Sequence, residues 1–189
     1  MEKMEIGKEL IRKLVDGTIG DQDVLRLQNA VKDDDRFQKY IEVLQERVSW
    51  EDTIIMRLSD NVYVVKKEKA DEIVTKCTCG HEFGDYRINW KLNCLINVRR
   101  TLAEMGEVYS PEPACPEPDW QEIREFICPT CAAQLAVEVV PPGYPVIMEF
   151  LPDIPGFYRE YLGKPLASEG KYECSDKSLE LTDAWGREA

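Results

Sequence analysis

Cys77-Thr78-Cys79-Gly80-His81 and, with 48 residues between Cys79 and the next cysteine of the pattern, Cys128-Pro129-Thr130-Cys131 form the stretch whose reading decides the fold. Each close pair can offer two sulfurs from one tight turn. Bringing the two turns together makes a tetrahedral thiolate site, so Cys77, Cys79, Cys128 and Cys131 are read as the four ligands of one structural zinc. The second pair has the common two-residue spacing with a proline inside it, whereas the first is one residue tighter. Gly80, just after the first pair, can turn the backbone left-handed and aim amides at the sulfurs. The alternatives are a disulfide pair or four unrelated buried thiols.

The segments around the second pair reinforce the metal reading. Residues 120–127 run straight into Cys128, and Leu135 to Val140 leave soon after Cys131. Strand, knuckle and returning strand make half of a zinc ribbon. Upstream, Thr53 to Leu58 and Asn61 to Lys66 are rich in β-branched and aromatic residues on either side of Ser59-Asp60, which predicts a hairpin. Ile73 to Lys76 leads into the first knuckle, and partial alternation over Lys91 to Arg99 favours a strand.

Ahead of these strands the period is helical. Ile6, Leu10, Ile11, Leu14 and Val15 make one stripe, and Val24, Leu25, Leu27, Ala30 and Val31 a second after a possible N-cap at Asp21. Phe37, Tyr40, Ile41, Leu44 and Val48 make a third behind the acidic run Asp33-Asp34-Asp35. A short helix is expected from Thr101 to Tyr109, and the proline-broken 110–118 is a surface loop. Near the end, Phe157-Tyr158-Arg159-Glu160-Tyr161-Leu162 reads as a helical turn or two, serving either as an aromatic anchor into a partner or as a cap on the chain's own core. The polar stretch from Ser168 to Ala189 has no clear period and reads as a tail, mobile or draped over another subunit. The fold class expected is α+β, N-terminal helices followed by a mainly antiparallel β zinc-ribbon-like domain. The expected divisions are a helical segment over 1–50, a β-rich zinc-binding domain over 51–166 and a tail over 167–189.

Composition narrows the function. Asp and Glu outnumber Lys and Arg 36 to 24, giving a net charge of −12, which opposes the phosphate neutralisation that nucleic-acid binding requires. No apolar run approaches the roughly 20 residues of a membrane span, and Met1-Glu2-Lys3-Met4-Glu5 is too acidic for a secretory signal, so a cytoplasmic location with reduced thiols is expected. There is no GxxxxGK loop and no GxGxxG. His81 is the single histidine, which leaves no His-based catalytic metal site and makes it a candidate neighbour of the zinc ligands. Glu82, Asp85, Glu104, Glu107, Glu122 and Glu125 are candidate acids, but nothing in the sequence makes any two converge. Cys94, Cys115 and Cys174 read as fillers or free thiols. A four-thiolate zinc has no open position for water, so its expected work is to clamp strands.

Several longer stretches resemble one family, the small (gamma) subunit of bacterial acetone carboxylase. They are Tyr40-Ile41-Glu42-Val43-Leu44-Gln45-Glu46-Arg47 followed by Trp50, the first knuckle through Phe83, Asn89-Trp90-Lys91-Leu92 and Trp120-Gln121-Glu122-Ile123-Arg124-Glu125-Phe126. The second knuckle, Tyr144-Pro145-Val146-Ile147 and Pro152-Asp153-Ile154-Pro155-Gly156-Phe157-Tyr158 continue the likeness over about residues 8 to 166. The resemblance implies a cytoplasmic hetero-hexamer of alpha2beta2gamma2 form that carboxylates acetone with bicarbonate to acetoacetate, driven by ATP. Its alpha and beta subunits would hold ATP and a catalytic divalent metal such as manganese, and its gamma subunit the zinc, on the four cysteines named above. Gly84 stands where some members carry another cysteine, and the tail after Ser168 lies outside the likeness. A gamma-type subunit of an acetophenone carboxylase is a related expectation. Two readings of other classes are a free-standing zinc-ribbon adaptor and an enzyme pairing His81 with a cysteine.

Overall fold

The structure, a computed structural model, describes residues 6–29, 31, 33–111, 114–166 and 173–188. Helices α1 (Lys8–Val15), α2 (Asp21–Asn29) and α3 (Arg36–Gln45) follow the three apolar stripes. Ile11 of α1 and Val43 of α3 close over Ile6 in one small core, whereas α2 buries no residue fully. Asp33 ties the trio together: it accepts from Arg36 Nε at 2.8 Å and Lys39 Nζ at 3.2 Å, while those cations also reach the carbonyls of Leu27 and Ile6.

Behind the helices lies a four-stranded antiparallel sheet in the order β1 (Thr53–Ser59), β2 (Val62–Lys66), β3 (Ile73–Cys77), β4 (Glu82–Asp85). The expected hairpin is β1–β2. Gln45 secures the entry to it, donating to the Asp52 carbonyl at 3.1 Å and accepting from the Ile54 amide at 2.8 Å. Both faces of the sheet are covered, which is why every residue of β3 is buried rather than every second one. On one face Ile41 and Leu44 of α3 pack on Ile54, Tyr63, Val65 and Val74. On the other, Ile55, Val64, Ile73 and Tyr86 meet Ile154, with Leu151 and Tyr158 beside them.

Ile154 belongs to the short α5 (Ile154–Gly156), which continues as a π-helical turn over Phe157–Tyr161. The two readings of this aromatic run separate here. Phe157 stands edge-on to Phe37 at 5.0 Å between centroids and the Tyr158 hydroxyl donates to the Ile55 carbonyl at 2.8 Å, so these rings cap the chain's own core.

A 3₁₀ turn at Trp90–Asn93 takes the first part of the stretch read as strand, and β5 (Leu95–Arg99) takes the rest. Helix α4 (Leu102–Gly106) starts on a capping box between Thr101 and Glu104. It leads through the loop to β6 (Glu122–Ile127) and β7 (Gln134–Val140), giving a second antiparallel sheet in the order β5-β6-β7. The tail departs from expectation: α6 (Ser178–Glu188) is helical, and its first residue accepts the Asn89 amide on its hydroxyl at 2.9 Å. Residues 168–172 of that tail lie outside the described residues. Among the described residues no helix is long and apolar enough to cross a membrane.

Candidate metal centre

The two sheets meet at their knuckles. Cys77 is the last residue of β3, and Thr78 to His81 turn the chain into β4; Cys128 to Ala133 turn β6 into β7. A core of Val62, Cys77, Phe83, Cys128 and Leu135, with Trp90 and Cys94 at its margin, fills the joint. Strands from different sheets therefore present their sulfurs to one point.

Local hydrogen bonds shape each turn. In the first, the Gly80 amide donates to the Cys77 carbonyl and the Cys77 amide to the His81 carbonyl, both at 2.8 Å. Gly80 has φ +95°, and a Cβ there would stand 3.1 Å from Trp50 Cδ1. Trp50 itself donates from Nε1 to the Thr78 carbonyl at 3.1 Å, so the indole both braces the tight pair and requires a glycine behind it. In the second turn the Cys128 amide donates to the Ala133 carbonyl at 2.9 Å and the Ala132 amide to the Cys128 carbonyl at 3.0 Å. Ala132, which follows the second cysteine pair as Gly80 follows the first, has φ +59°.

The four sulfurs lie within 4.8 Å of one another, with Cys77 to Cys131 at 3.8 Å and Cys79 to Cys128 at 3.7 Å. A disulfide would need about 2.05 Å, and all four cysteines are free, which removes the disulfide alternative. Zinc–thiolate bonds of about 2.3 Å give a tetrahedron with edges of about 3.8 Å. The group thus has the dimensions to hold a metal such as zinc. Cys77 and Cys128 are buried, Cys79 and Cys131 exposed, so the centre sits at the edge of the joint rather than inside it.

Two of the four thiols resist ionisation without a cation beside them. Burial pushes the Cys77 and Cys79 thiols up, against backbone amides of Cys79 and His81 that favour the thiolates, and the Ala133 amide draws Cys131 down. Thiolates in this setting call for a positive charge among them.

The remaining sequence candidates fall elsewhere. His81 supplies no atom to the four-sulfur group; its Nδ1 lies 2.8 Å from Thr130 Oγ1, and its ring stands edge-on to Phe83. Cys94 borders the joint, but its sulfur faces the Trp90 carbonyl at 3.6 Å, and burial pushes the thiol up to about 12. Cys115 faces the Tyr109 carbonyl at 3.9 Å, and Cys174 is exposed. Glu122 is held by Arg100 and Arg124, and Glu125 by Asn97, Arg99 and Gln134, so both are buried acceptors in hydrogen-bonded networks. Glu104 caps α4. Trp50 and Thr130 were not legible as parts of the site, because their roles depend on contacts across the joint.

The sequence model of the family described as acetone carboxylase gamma subunit matches residues 48–162. The acetone carboxylase gamma subunit of Xanthobacter autotrophicus is 42% identical over 163 residues, covering 86% of this chain and 96% of that protein. The acetophenone carboxylase beta subunit of Aromatoleum aromaticum is 34% identical over 77 residues, 40% of this chain and 60% of that protein. The likeness to an acetophenone carboxylase is thus to a subunit named beta, not gamma. Taken with a chain-long match to one relative and a family match spanning both knuckles, these findings place the chain: it belongs to the acetone carboxylase gamma subunit family.

Proposed function

We propose that this chain is a non-catalytic, zinc-bearing subunit of a cytoplasmic, ATP-dependent ketone carboxylase that converts acetone and bicarbonate to acetoacetate. Cys77, Cys79, Cys128 and Cys131 would hold the zinc, whose coordination, closed by four thiolates, serves to lock the two sheets at a fixed angle. The observation that carries this reading is the four-sulfur group at the joint of the two sheets, its sulfurs within 4.8 Å of one another and two of its edges at 3.7 and 3.8 Å, in a chain of this family. ATP and a catalytic divalent metal such as manganese would sit in alpha and beta subunits, in an assembly of alpha2beta2gamma2 form. Co-expression with the large subunits tests it: the expected result is a complex with about one zinc per gamma chain and ATP hydrolysis dependent on acetone. A zinc-free, well-folded chain, or ketone-dependent hydrolysis undiminished without it, would overturn the reading. The partial likeness to an acetophenone carboxylase subunit supports a second reading with an aromatic ketone as substrate, and the ketone that triggers hydrolysis decides between them.

A further inference from the structure

Cys77 is a sulfur that cannot rely on water. It is fully buried, and burial pushes its thiol up, so its thiolate depends on donors built into the fold. The donor that favours it is the Cys79 amide. That N–H belongs to the Thr78–Cys79 peptide, and the carbonyl on the opposite side of the same planar unit accepts from Trp50 Nε1 at 3.1 Å. Trp50 and Cys77 are thus joined through a single amide group, indole N–H to carbonyl at one end and amide N–H to sulfur at the other.

The turn is also held without this bond. The Thr78 amide donates to the Asn61 carbonyl at 3.0 Å and the Thr78 hydroxyl to Asn61 Oδ1 at 3.2 Å, which anchors the knuckle to the start of β2. What the indole adds is polarisation. Hydrogen bonds in series strengthen one another, so a donor on the Thr78 carbonyl makes the Cys79 N–H a better donor. The indole in turn is seated beside a cation: Lys76 Nζ, paired with Asp52, lies 5.5 Å from its ring centroid, and Tyr63 stands edge-on to it at 6.4 Å. A cation over the π face draws electron density from the ring and favours donation from its N–H.

We infer that Trp50 is a positioning residue for the metal: through the Thr78–Cys79 peptide it strengthens the hydrogen bond to the Cys77 thiolate and so tightens the hold of the first knuckle. This rests on the proposed function for the presence of zinc. Trp50→Phe keeps an aromatic ring and removes the N–H. Ile41→Val, in the core that Trp50 packs against, is the control for lost stability alone. In the full-length chain loaded with cobalt, Trp50→Phe is expected to move the thiolate-to-metal charge-transfer band to longer wavelength, because a thiolate with a weaker hydrogen bond gives up an electron more readily. Its zinc affinity, measured against a competing chelator, is expected to fall about 10- to 100-fold. Ile41→Val is expected to leave the band in place. A metal-loaded Trp50→Phe chain with the wild-type band, or an affinity loss that matches that of Ile41→Val once scaled to the drop in melting temperature, overturns the inference and leaves the zinc assignment standing. A wild-type chain that takes up neither metal overturns both. Should Trp50→Phe fail to fold, the wild-type chain loaded with NMR-active cadmium decides. A coupling from the metal through sulfur to the Cys79 amide proton is expected, together with slow exchange of the indole proton, and the lack of either overturns the role of Trp50.

Discussion

His81 Nδ1 and Thr130 Oγ1 lie 2.8 Å apart, and this is a side-chain hydrogen bond from one cysteine knuckle to the other. It links the turn after Cys79 to the proline-containing turn before Cys131 without occupying a sulfur. A solvent-facing bond of this kind contributes about 0.5–1 kcal/mol. Thr130→Ala and His81→Ala are each expected to lower the melting temperature by roughly 1–4 °C with zinc content unchanged. The double variant is expected to lose less than the sum of the two, which thermal melts of the four proteins would measure. Loss of zinc from either single variant would instead make the pair part of the ligand set.

The residues that follow the two knuckles are expected to respond to substitution with opposite signs. Ala132 holds φ +59° with a Cβ, a conformation that glycine adopts without strain. Ala132→Gly is therefore expected to stabilise the chain by up to about 1 kcal/mol, the relieved strain slightly exceeding the added freedom of the unfolded chain. Gly80→Ala meets both φ +95° and Trp50 Cδ1 at 3.1 Å. It is expected to destabilise by more than about 1 kcal/mol. Denaturant unfolding of the two variants checks the pair, and equal signs would contradict the account of the turns.

How far the fold is legible before its coordinates depends on how local its determinants are. The stripe from Phe37 to Val48 and the run Asn61 to Lys66 carry their own periods, so α3 and the first hairpin are read directly. β4 is not, because Glu82-Phe83-Gly84-Asp85 has a glycine in its middle and owes its strand form to pairing with β3. The helix Ser178–Glu188 is missed for a related reason: its composition is polar, and its N-terminus is held by contacts at Arg87 and Asn89 far back in the chain. The four sulfurs are legible because zinc chemistry constrains spacing tightly. Trp50 at the first knuckle is not, since nothing in its neighbours announces an indole hydrogen bond 28 residues away.

Asp33 sets the acid limit of the helical trio. Burial pushes its carboxyl up, but the hydrogen bonds from Arg36 and Lys39 outweigh that and hold it well below the usual carboxylate range. A carboxyl depressed on folding contributes its full stability above the unfolded value of about 3.9 and loses it as pH falls toward the folded one. Asp33→Asn leaves the Arg36 and Lys39 heads partly unmatched and is expected to cost about 2 kcal/mol at neutral pH. Melting curves from pH 7 down to about pH 3 are expected to show the gap between wild type and variant narrowing below about pH 4. A gap that stays constant would mean that the ion pairs contribute nothing.

The metal centre can be separated from its surroundings by comparing two thiols of the same joint. Cys128 and Cys94 border one apolar core, but only the Cys128 sulfur lies in the four-sulfur group, 3.7 Å from that of Cys79. Cys128→Ser leaves three thiolates and a weak oxygen ligand at a buried position, so zinc is expected to be lost on mild chelation, with a lower melting temperature and soluble yield. Cys94→Ser removes a small apolar sulfur and is expected to keep about one zinc per chain at a cost of about 1 kcal/mol. Replacing zinc with cobalt gives the optical check. Wild type and Cys94→Ser should both show the intense visible bands of a tetrahedral four-thiolate site, and Cys128→Ser should not. Equal metal retention by both variants would sink the four-ligand assignment, because the joint would then hold its metal, if any, by another set of atoms.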